Sequence, residues 1–165
     1  MNKQVRSLVQ GALIAAMYAA LTYLQSLLLP NSASMAIQFR ASEALCVLAF
    51  FTPAAVPGLT VGCILSNLTS AGALPLDPIV GPLATFLAVQ GMYMSRKLTF
   101  QGIPLLQLAL PALTNGLIIG WELTLYIGGG FWINALYVAL GELGVLYTLG
   151  LLLYNTMKRR HIVIP

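Results

Sequence analysis

The order of apolar and polar positions along the chain predicts a bundle of membrane-spanning helices. Six apolar runs follow one another, separated by short segments rich in Pro, Gly, Ser and Asn. A helix that crosses a bilayer needs about 20 largely apolar residues, and most of these runs approach that length. The predicted helices cover residues 5–29, 40–51, 54–71, 79–95, 103–127 and 131–157.

Composition agrees with this pattern. The chain has 165 residues, of which 59% are hydrophobic and 7% are charged, and its mean hydropathy is +0.88. Soluble domains carry roughly 45–50% apolar and about 25% charged residues. The composition therefore argues against a soluble enzyme, a disordered chain and a nucleic-acid binder. We expect an all-α integral membrane protein, a single six-helix domain over residues 1–165 with no cleavable signal peptide.

The basic residues predict how the chain is oriented in the membrane. Seven of the eight lie at the start of the first helix, between the fourth and fifth, or after the sixth, namely Lys3, Arg6, Arg96, Lys97, Lys158, Arg159 and Arg160. With six spans these three places share one side, which the positive-inside rule makes cytoplasmic. Both termini are thus expected in the cytoplasm, and the net charge of +4 reports topology rather than binding to nucleic acid.

The other five charged residues are expected in the outer half of the membrane or near its midplane: Arg40, Glu43, Asp77, Glu122 and Glu142. A charge at the bilayer centre costs about 2.5–3.5 kcal/mol on insertion scales, so such residues face a bundle interior and mark binding or transport sites. For some of these residues a structural role stays open as the alternative to binding. Arg40 and Glu43, one turn apart, could form a structural ion pair. Asp77 could be a turn residue, and Glu122 could belong to the membrane interface.

Uncharged polar and aromatic residues are predicted in the same layer. Asn134 and Glu142 are eight residues apart, about 80° on a helix, and can face one pocket. Amides, carboxylates and rings together suit a flat, hydrogen-bonding heterocycle. The alternative is amides that join helices, with an interfacial aromatic belt. The set comprises Asn67, Asn115, Asn134, Tyr126, Trp132 and Tyr137.

The first helix carries a broad face of small residues. Two rows at four-residue spacing lie side by side, one of Gly11, Ala15 and Ala19 and the other of Ala12, Ala16 and Ala20. Small residues let helices approach closely in a membrane. This face either docks another membrane subunit or packs within the bundle.

The sequence lacks the motifs that are typical of several kinds of functional site. Cys46 and Cys63 fall inside apolar runs, without a CxxC pair or a histidine cluster, so we expect buried free thiols and no metal site. The sequence has no phosphate-binding loop, no HExxH and no obvious repeat of interrupted helices. A solute-binding membrane protein without its own energy source is expected to be a subunit of a larger assembly.

Four segments resemble one family. They are IQFRASEAL at residues 37–45, FTPAAVPG at 51–58, Asn115-Gly116, and FWINALYVALGE at 131–142. They are similar to the QueT family, the substrate-capture (S) components of energy-coupling factor transporters that take up queuosine precursors. The resemblance implies a six-helix bundle that binds a 7-deazaguanine base, cyano or aminomethyl, from outside and catalyses no reaction.

The resemblance also implies partners. They are a membrane coupling protein and two cytoplasmic ATPases, with the alanine face of the first helix docked on the coupling protein. ATP hydrolysis would tip the S component so that its site opens inward. No cofactor is implied.

Roles for the candidate residues follow from chemistry and location rather than from the family. Glu142 is predicted to hold the adjacent N–H groups of the base, and Glu43 or Glu122 the ammonium of its aminomethyl form. Arg40 is expected to orient Glu43.

The remaining ligand contacts are assigned in the same way. Asn115 and Asn134 are predicted to satisfy the ring carbonyl and pyrrole nitrogen, with Trp132 or Tyr137 stacking on the ring. Asn67 and Asp77 complete the candidate site.

Three other functions stay open. The chain is an S component for another solute, such as a vitamin, or a free-standing channel or proton-coupled carrier that uses Glu142. The third is a membrane-embedded enzyme with Glu43 and Glu142 as an acid–base pair, although no nucleophile or metal site accompanies them.

Overall fold

The computed structural model describes residues 2–29, 39–70, 72–100 and 103–160. Within these ranges the chain forms helices and short connections, without a β-strand beyond an isolated bridge between Phe100 and Ile103. The predicted all-helical fold class is thereby confirmed. Numbered in chain order, the helices are α1 Lys3–Leu28, α2 Ala41–Phe50, α3 Ala55–Thr69, α4 Asp77–Met94, α5 Leu105–Tyr126 and α6 Phe131–Arg159.

Three of these helices are long and apolar enough to cross a membrane, namely α1, α5 and α6. Large apolar side chains cover the outside of the bundle, among them Leu8, Leu13, Leu106 and Leu152. A soluble monomer rarely exposes such continuous apolar surface. The surface therefore suits a hydrocarbon environment.

Helix α2 is the shortest of the six and is wound as a 3-10 helix. This geometry rises about 2.0 Å per residue, so ten residues extend about 20 Å, against about 15 Å in an α-helix. The tighter winding lets a short apolar run extend further along the bundle. It also aligns residues three apart, which places Glu43 and Cys46 in one row.

Helix α2 occupies the centre of the bundle. It packs against α1, α3, α4 and α6, whereas the outer helices pack in the order α1–α3–α4–α5–α6. Residues Ser42 to Ala49 are all buried. The side chains of this one helix consequently face most of the others.

Glycines bring two helix pairs into close contact. A Cβ on Gly62 of α3 would lie 2.7 Å from the Cβ of Tyr18 in α1, and one on Gly120 of α5 would lie 2.7 Å from the backbone of Ala135 in α6. These distances are shorter than van der Waals contact. The α1–α3 and α5–α6 approaches therefore require glycine.

Two apolar clusters fill the two ends of the bundle. The larger surrounds α2 and includes Leu59, Met92 and Leu146. The smaller contains Val80, Ile119, Leu123 and Val138. The larger cluster draws on the end of α4 and the second half of α6, so it lies toward the basic residues at the C-terminal ends of those helices.

Helix α6 contains a π-helical segment, Leu146–Gly150, that begins four residues after Glu142. Gly150 faces α2, where a Cβ would lie 3.4 Å from the Cγ1 of Val47. Helix α5 is also irregular, because its first turn, Leu105–Leu108, is interrupted at Ala109. Pro111 follows and has no N–H to continue the helical hydrogen bonds.

Several predicted boundaries shift. Helix α4 begins at Asp77 rather than residue 79, because Pro78 fits the first turn of a helix, and α6 continues to Arg159. The predicted break between α5 and α6 is present, with φ of 87° at Gly128 and 81° at Gly129. Only glycine adopts this left-handed region readily. Residue 71, the predicted end of the third helix, lies outside the described ranges.

Candidate functional site

The chain has four acidic residues, and the fold buries all of them around one arginine. Glu43, Asp77, Glu122 and Glu142 are each at most 7% exposed. Arg40, at the start of α2, interacts electrostatically with all four. The residues come from α2, α4, α5 and α6, so the cluster forms only when the bundle assembles.

Glu43 is held by two protein donors. The hydroxyl of Tyr18, from α1, donates to its Oε1. The Sγ of Cys46, one 3-10 turn along α2, donates to its Oε2 over 3.2 Å. Both carboxylate oxygens of Glu43 thus have partners, which fixes this side chain between α1 and α2.

Helix α1 positions the start of α2 through two further polar side chains. Gln25 accepts from the backbone N–H of Ala41 over 2.7 Å and donates to the carbonyl of Phe39. Thr22 donates to the hydroxyl of Ser42 over 2.9 Å. These contacts hold Arg40 and the residues after it in place.

Sequence reasoning missed this polar face of α1. Tyr18, Thr22 and Gln25 are spaced four and three residues apart and therefore share one helix face. Their spacing within an apolar helix was the signal that could have identified them.

Glu142 of α6 meets Asn115 of α5. The amide Nδ2 of Asn115 donates to Oε1 of Glu142 over 2.9 Å, and both residues are buried. Within the described part of the chain, Oε2 of Glu142 accepts no hydrogen bond. Glu142 also interacts electrostatically with Glu43. One buried carboxylate oxygen of Glu142 is consequently without a donor among the described residues.

Asp77 and Glu122 form a second pair, between α4 and α5. The two carboxyl groups interact electrostatically and lie close together. Oδ2 of Asp77 accepts from the backbone N–H of Leu74 over 2.6 Å. Asn67, from α3, donates to the backbone carbonyl of Asp77 over 2.7 Å. The start of α4 is thus fixed beside Glu122.

Other predicted site residues lie apart from this cluster. Asn134 donates to the hydroxyl of Thr124 and to the carbonyl of Gly128, each over 3.0 Å, and so joins the end of α5 to the start of α6. Trp132 is 74% exposed and Tyr137 is 39% exposed. Both rings, like that of Tyr126, face outward. The structure therefore does not bring these four residues to the buried carboxylates.

The two rows of small residues on α1 have different surroundings. Gly11 and Ala15 face α3, where Gly58 and Gly62 approach them closely. Ala12, Ala16 and Ala20 are exposed, and Ala19 is partly buried. One row thus packs within the bundle and the other lies on its outside. A groove of about 540 Å³ runs along this boundary and is lined by Ala12, Ala15 and Pro57 among others.

The cluster is rich in acceptors and poor in positive charge. Four carboxylates surround one guanidinium, while Asn67 and Asn115 already donate to protein oxygens. Burying carboxylates without compensating donors is costly. The geometry therefore favours a bound molecule that presents N–H groups or positive charge. Cys46 and Cys63 are buried and free, as predicted.

One comparison with known proteins, that with family models, agrees with the resemblance noted in the sequence. No curated protein sequence and no solved structure shows significant similarity to the chain. A family model described as QueT transporter matches residues 8–159. This match spans all six helices, including every member of the buried carboxylate cluster. The chain therefore belongs to the QueT transporter family.

Proposed function

We propose that this protein is the substrate-capture subunit of an energy-coupling factor importer and that it binds a 7-deazaguanine base. The observation that carries the proposal is the pair formed by Asn115 and Glu142. Glu142 keeps an oxygen without a protein partner among the described residues, although it is buried inside the bundle. A carboxylate is a good acceptor for the adjacent ring N–H and exocyclic amine of a guanine-like edge.

The proposed orientation follows from the distribution of charge. The basic residues that flank the helices would face the cytoplasm, with both termini on that side and six membrane spans. The buried carboxylates would then lie in the outer half of the membrane, where Arg40 and the starts of α2 and α4 meet. This arrangement suits capture of a base from outside the cell.

Inward delivery would depend on partners. We propose a membrane coupling protein and two ATPases, with the exposed row Ala12, Ala16 and Ala20 on the contact surface. This row lies on the outside of the bundle, whereas Ala15 is buried against α3. ATP hydrolysis by the partners would tip the subunit so that the site opens inward.

A binding titration on the purified, detergent-solubilised chain tests the substrate. Calorimetry would be run with the cyano and aminomethyl 7-deazaguanines, and with guanine and thiamine as controls. Saturable binding of a deazaguanine alone supports the proposal. Binding of thiamine, or no binding by protein that elutes as a folded species, contradicts the substrate assignment and points to an S component for a different solute.

A further inference from the structure

A side-chain hydrogen bond joins the irregular segments of α5 and α6. The hydroxyl of Tyr147, in the π-helical segment Leu146–Gly150, donates to the backbone carbonyl of Leu105 over 2.6 Å. Leu105 begins the first turn of α5, and in a regular α-helix its carbonyl would accept from the N–H of Ala109. That N–H instead donates to the two carbonyls that follow Leu105. The side chain of Tyr147 thus takes the place of a backbone donor.

The π-helical segment divides α6 into two parts with different contacts. The N–H of Leu151 donates to the carbonyl of Leu146, five residues earlier, so this turn is wider than a turn of α-helix. Before it, Glu142 is bonded to α5. After it, the ring of Tyr154 packs against that of Phe50 at the end of α2. Helices kink at such wide turns, so the two parts of α6 can change their relative angle.

The first turn of α5 also holds the connection between α4 and α5. The side chain of Gln107 is 5% exposed, and its Nε2 donates to the backbone carbonyls of Leu98 and Ser95, the latter over 3.3 Å. Both carbonyls belong to the connection that carries two of the basic residues. A continuous series of contacts therefore leads from Glu142, through the π-helical segment and the first turn of α5, to this connection.

We propose that the π-helical segment of α6 and the first turn of α5 form a hinge, joined by Tyr147, that carries a change at Glu142 to the α4–α5 connection. The inference goes beyond the proposed function and rests on it only for the ligand that acts at Glu142. A ligand that fixes this carboxylate also fixes the first part of α6, which ends at the hinge. Binding would favour the arrangement in which Tyr147 and Leu105 are bonded, and the α4–α5 connection would become more ordered.

The first experiment needs no ligand. Hydrogen–deuterium exchange, measured by mass spectrometry on the purified chain in detergent, would compare Tyr147→Phe with Tyr137→Phe. The two tyrosines are on the same helix and are 36% and 39% exposed, so the second variant controls for loss of a surface hydroxyl. Tyr147→Phe should speed exchange in residues 103–109 and 144–150 by about 2- to 10-fold, as expected for one lost hydrogen bond. Exchange equal to that of Tyr137→Phe would overturn the proposed hinge.

The second experiment adds the cyano 7-deazaguanine and separates transmission from stability. In the unaltered protein the ligand should slow exchange in residues 144–150 and also in residues 95–100. In Tyr147→Phe it should slow only the first of these, while the Kd from calorimetry stays within about twofold. A merely structural hydrogen bond would leave the effect of the ligand on residues 95–100 intact. Protection of that segment in Tyr147→Phe, or none in the unaltered protein, would reject the hinge.

Failure of the hinge and failure of the proposed function give different results. If the unaltered chain binds no deazaguanine, the proposed substrate is wrong, and Glu142→Gln replaces the ligand as the change at the start of the series. In the ligand-free chain this variant should alter exchange in residues 95–100 by about twofold or more, and the effect should disappear when it is combined with Tyr147→Phe. Equal effects with and without the Tyr147 hydroxyl would reject the hinge alone.

Discussion

The side-chain amide of Asn115 lies 2.9 Å from Oε1 of Glu142 and donates to it, joining α5 to α6 inside the bundle. The same two helices pack closely at Gly116 and Gly120, against Ala135 and its neighbours. The close packing brings the two polar side chains together away from the membrane. Asn115 therefore orients Glu142 through Oε1, while Oε2 accepts no hydrogen bond from the described residues.

Replacing Glu142 tests this arrangement directly. Glu142→Gln keeps the size of the side chain but removes its charge, so the variant should lose about 10- to 100-fold in affinity for any deazaguanine. Thermal unfolding in detergent, followed by loss of the monomer peak, should change little. Unchanged affinity would remove Glu142 from the binding site.

The sequence predicts this cluster because charge is scarce in the chain. With only four acidic residues in 165, each one inside an apolar run is conspicuous, and the cost of burying it requires a common interior location. This reasoning predicts an interior location for Glu43, Glu122 and Glu142, and also for Arg40. The structure brings all of them together.

The direction in which a side chain points was harder to predict than which charged residues belong to the buried cluster. Near its start, helix α6 has large apolar or aromatic residues on most sides and a single amide, Asn134, so its sequence does not show which face turns inward. Trp132 and Tyr137 were expected beside Glu142, but they face outward, while Val138 is completely buried. A helix in a bilayer can place aromatic rings toward lipid at no penalty. An aromatic residue in such a helix therefore does not indicate which face is buried.

The local geometry of two helices was also outside the reach of sequence patterns. Apolar runs predict helices but do not distinguish a 3-10 helix from an α-helix, because both satisfy the backbone internally. The 3-10 winding of α2 and the π-helical segment of α6 arise where the two helices pack, with Gly150 against Val47 and Ala44. These features depend on tertiary contacts.

Tyr18 is predicted to stabilise the bundle through Glu43. Tyr18→Phe removes the hydroxyl that donates to Oε1 and leaves a buried acceptor without its partner, at a cost of about 1–3 kcal/mol. The variant should therefore unfold at a lower temperature in detergent. Tyr23→Phe is the matched control, since Tyr23 lies on the same helix and is exposed. Equal stability of the two variants would mean that the Tyr18 hydroxyl contributes nothing.

The close approach of α1 and α3 makes a second stability prediction. In Gly62→Ala the new methyl would lie 2.7 Å from the Cβ of Tyr18 and 3.0 Å from the carbonyl oxygen of Ala15. Overpacking of this kind costs about 1–3 kcal/mol, and it should also disturb the contact between Tyr18 and Glu43.

A second glycine provides the control for this change. In Gly11→Ala the nearest atom would be 3.5 Å away, an ordinary contact. Thermal unfolding of the two variants should show destabilisation for Gly62→Ala alone. A Gly62→Ala protein as stable as the unaltered chain would show that α1 and α3 separate without penalty.

Substitutions at two neighbouring alanines of α1 separate effects on folding from effects on docking to the partner subunit. Ala16 is exposed, whereas Ala15 is 4% exposed and packs against α3. Ala16→Leu should leave ligand affinity and thermal stability of the isolated subunit unchanged but reduce uptake by the assembled transporter severalfold, because the added side chain holds the partner away. Ala15→Leu should instead destabilise the isolated subunit by about 1–3 kcal/mol.

A third variant provides the control for these changes. Met17→Leu, which alters an exposed residue beside the two alanines without adding bulk, should affect neither stability nor uptake. Normal uptake by Ala16→Leu in cells that express the partners would place the docking surface elsewhere on the bundle, because a leucine at a packed helix–helix contact cannot be accommodated without separating the helices.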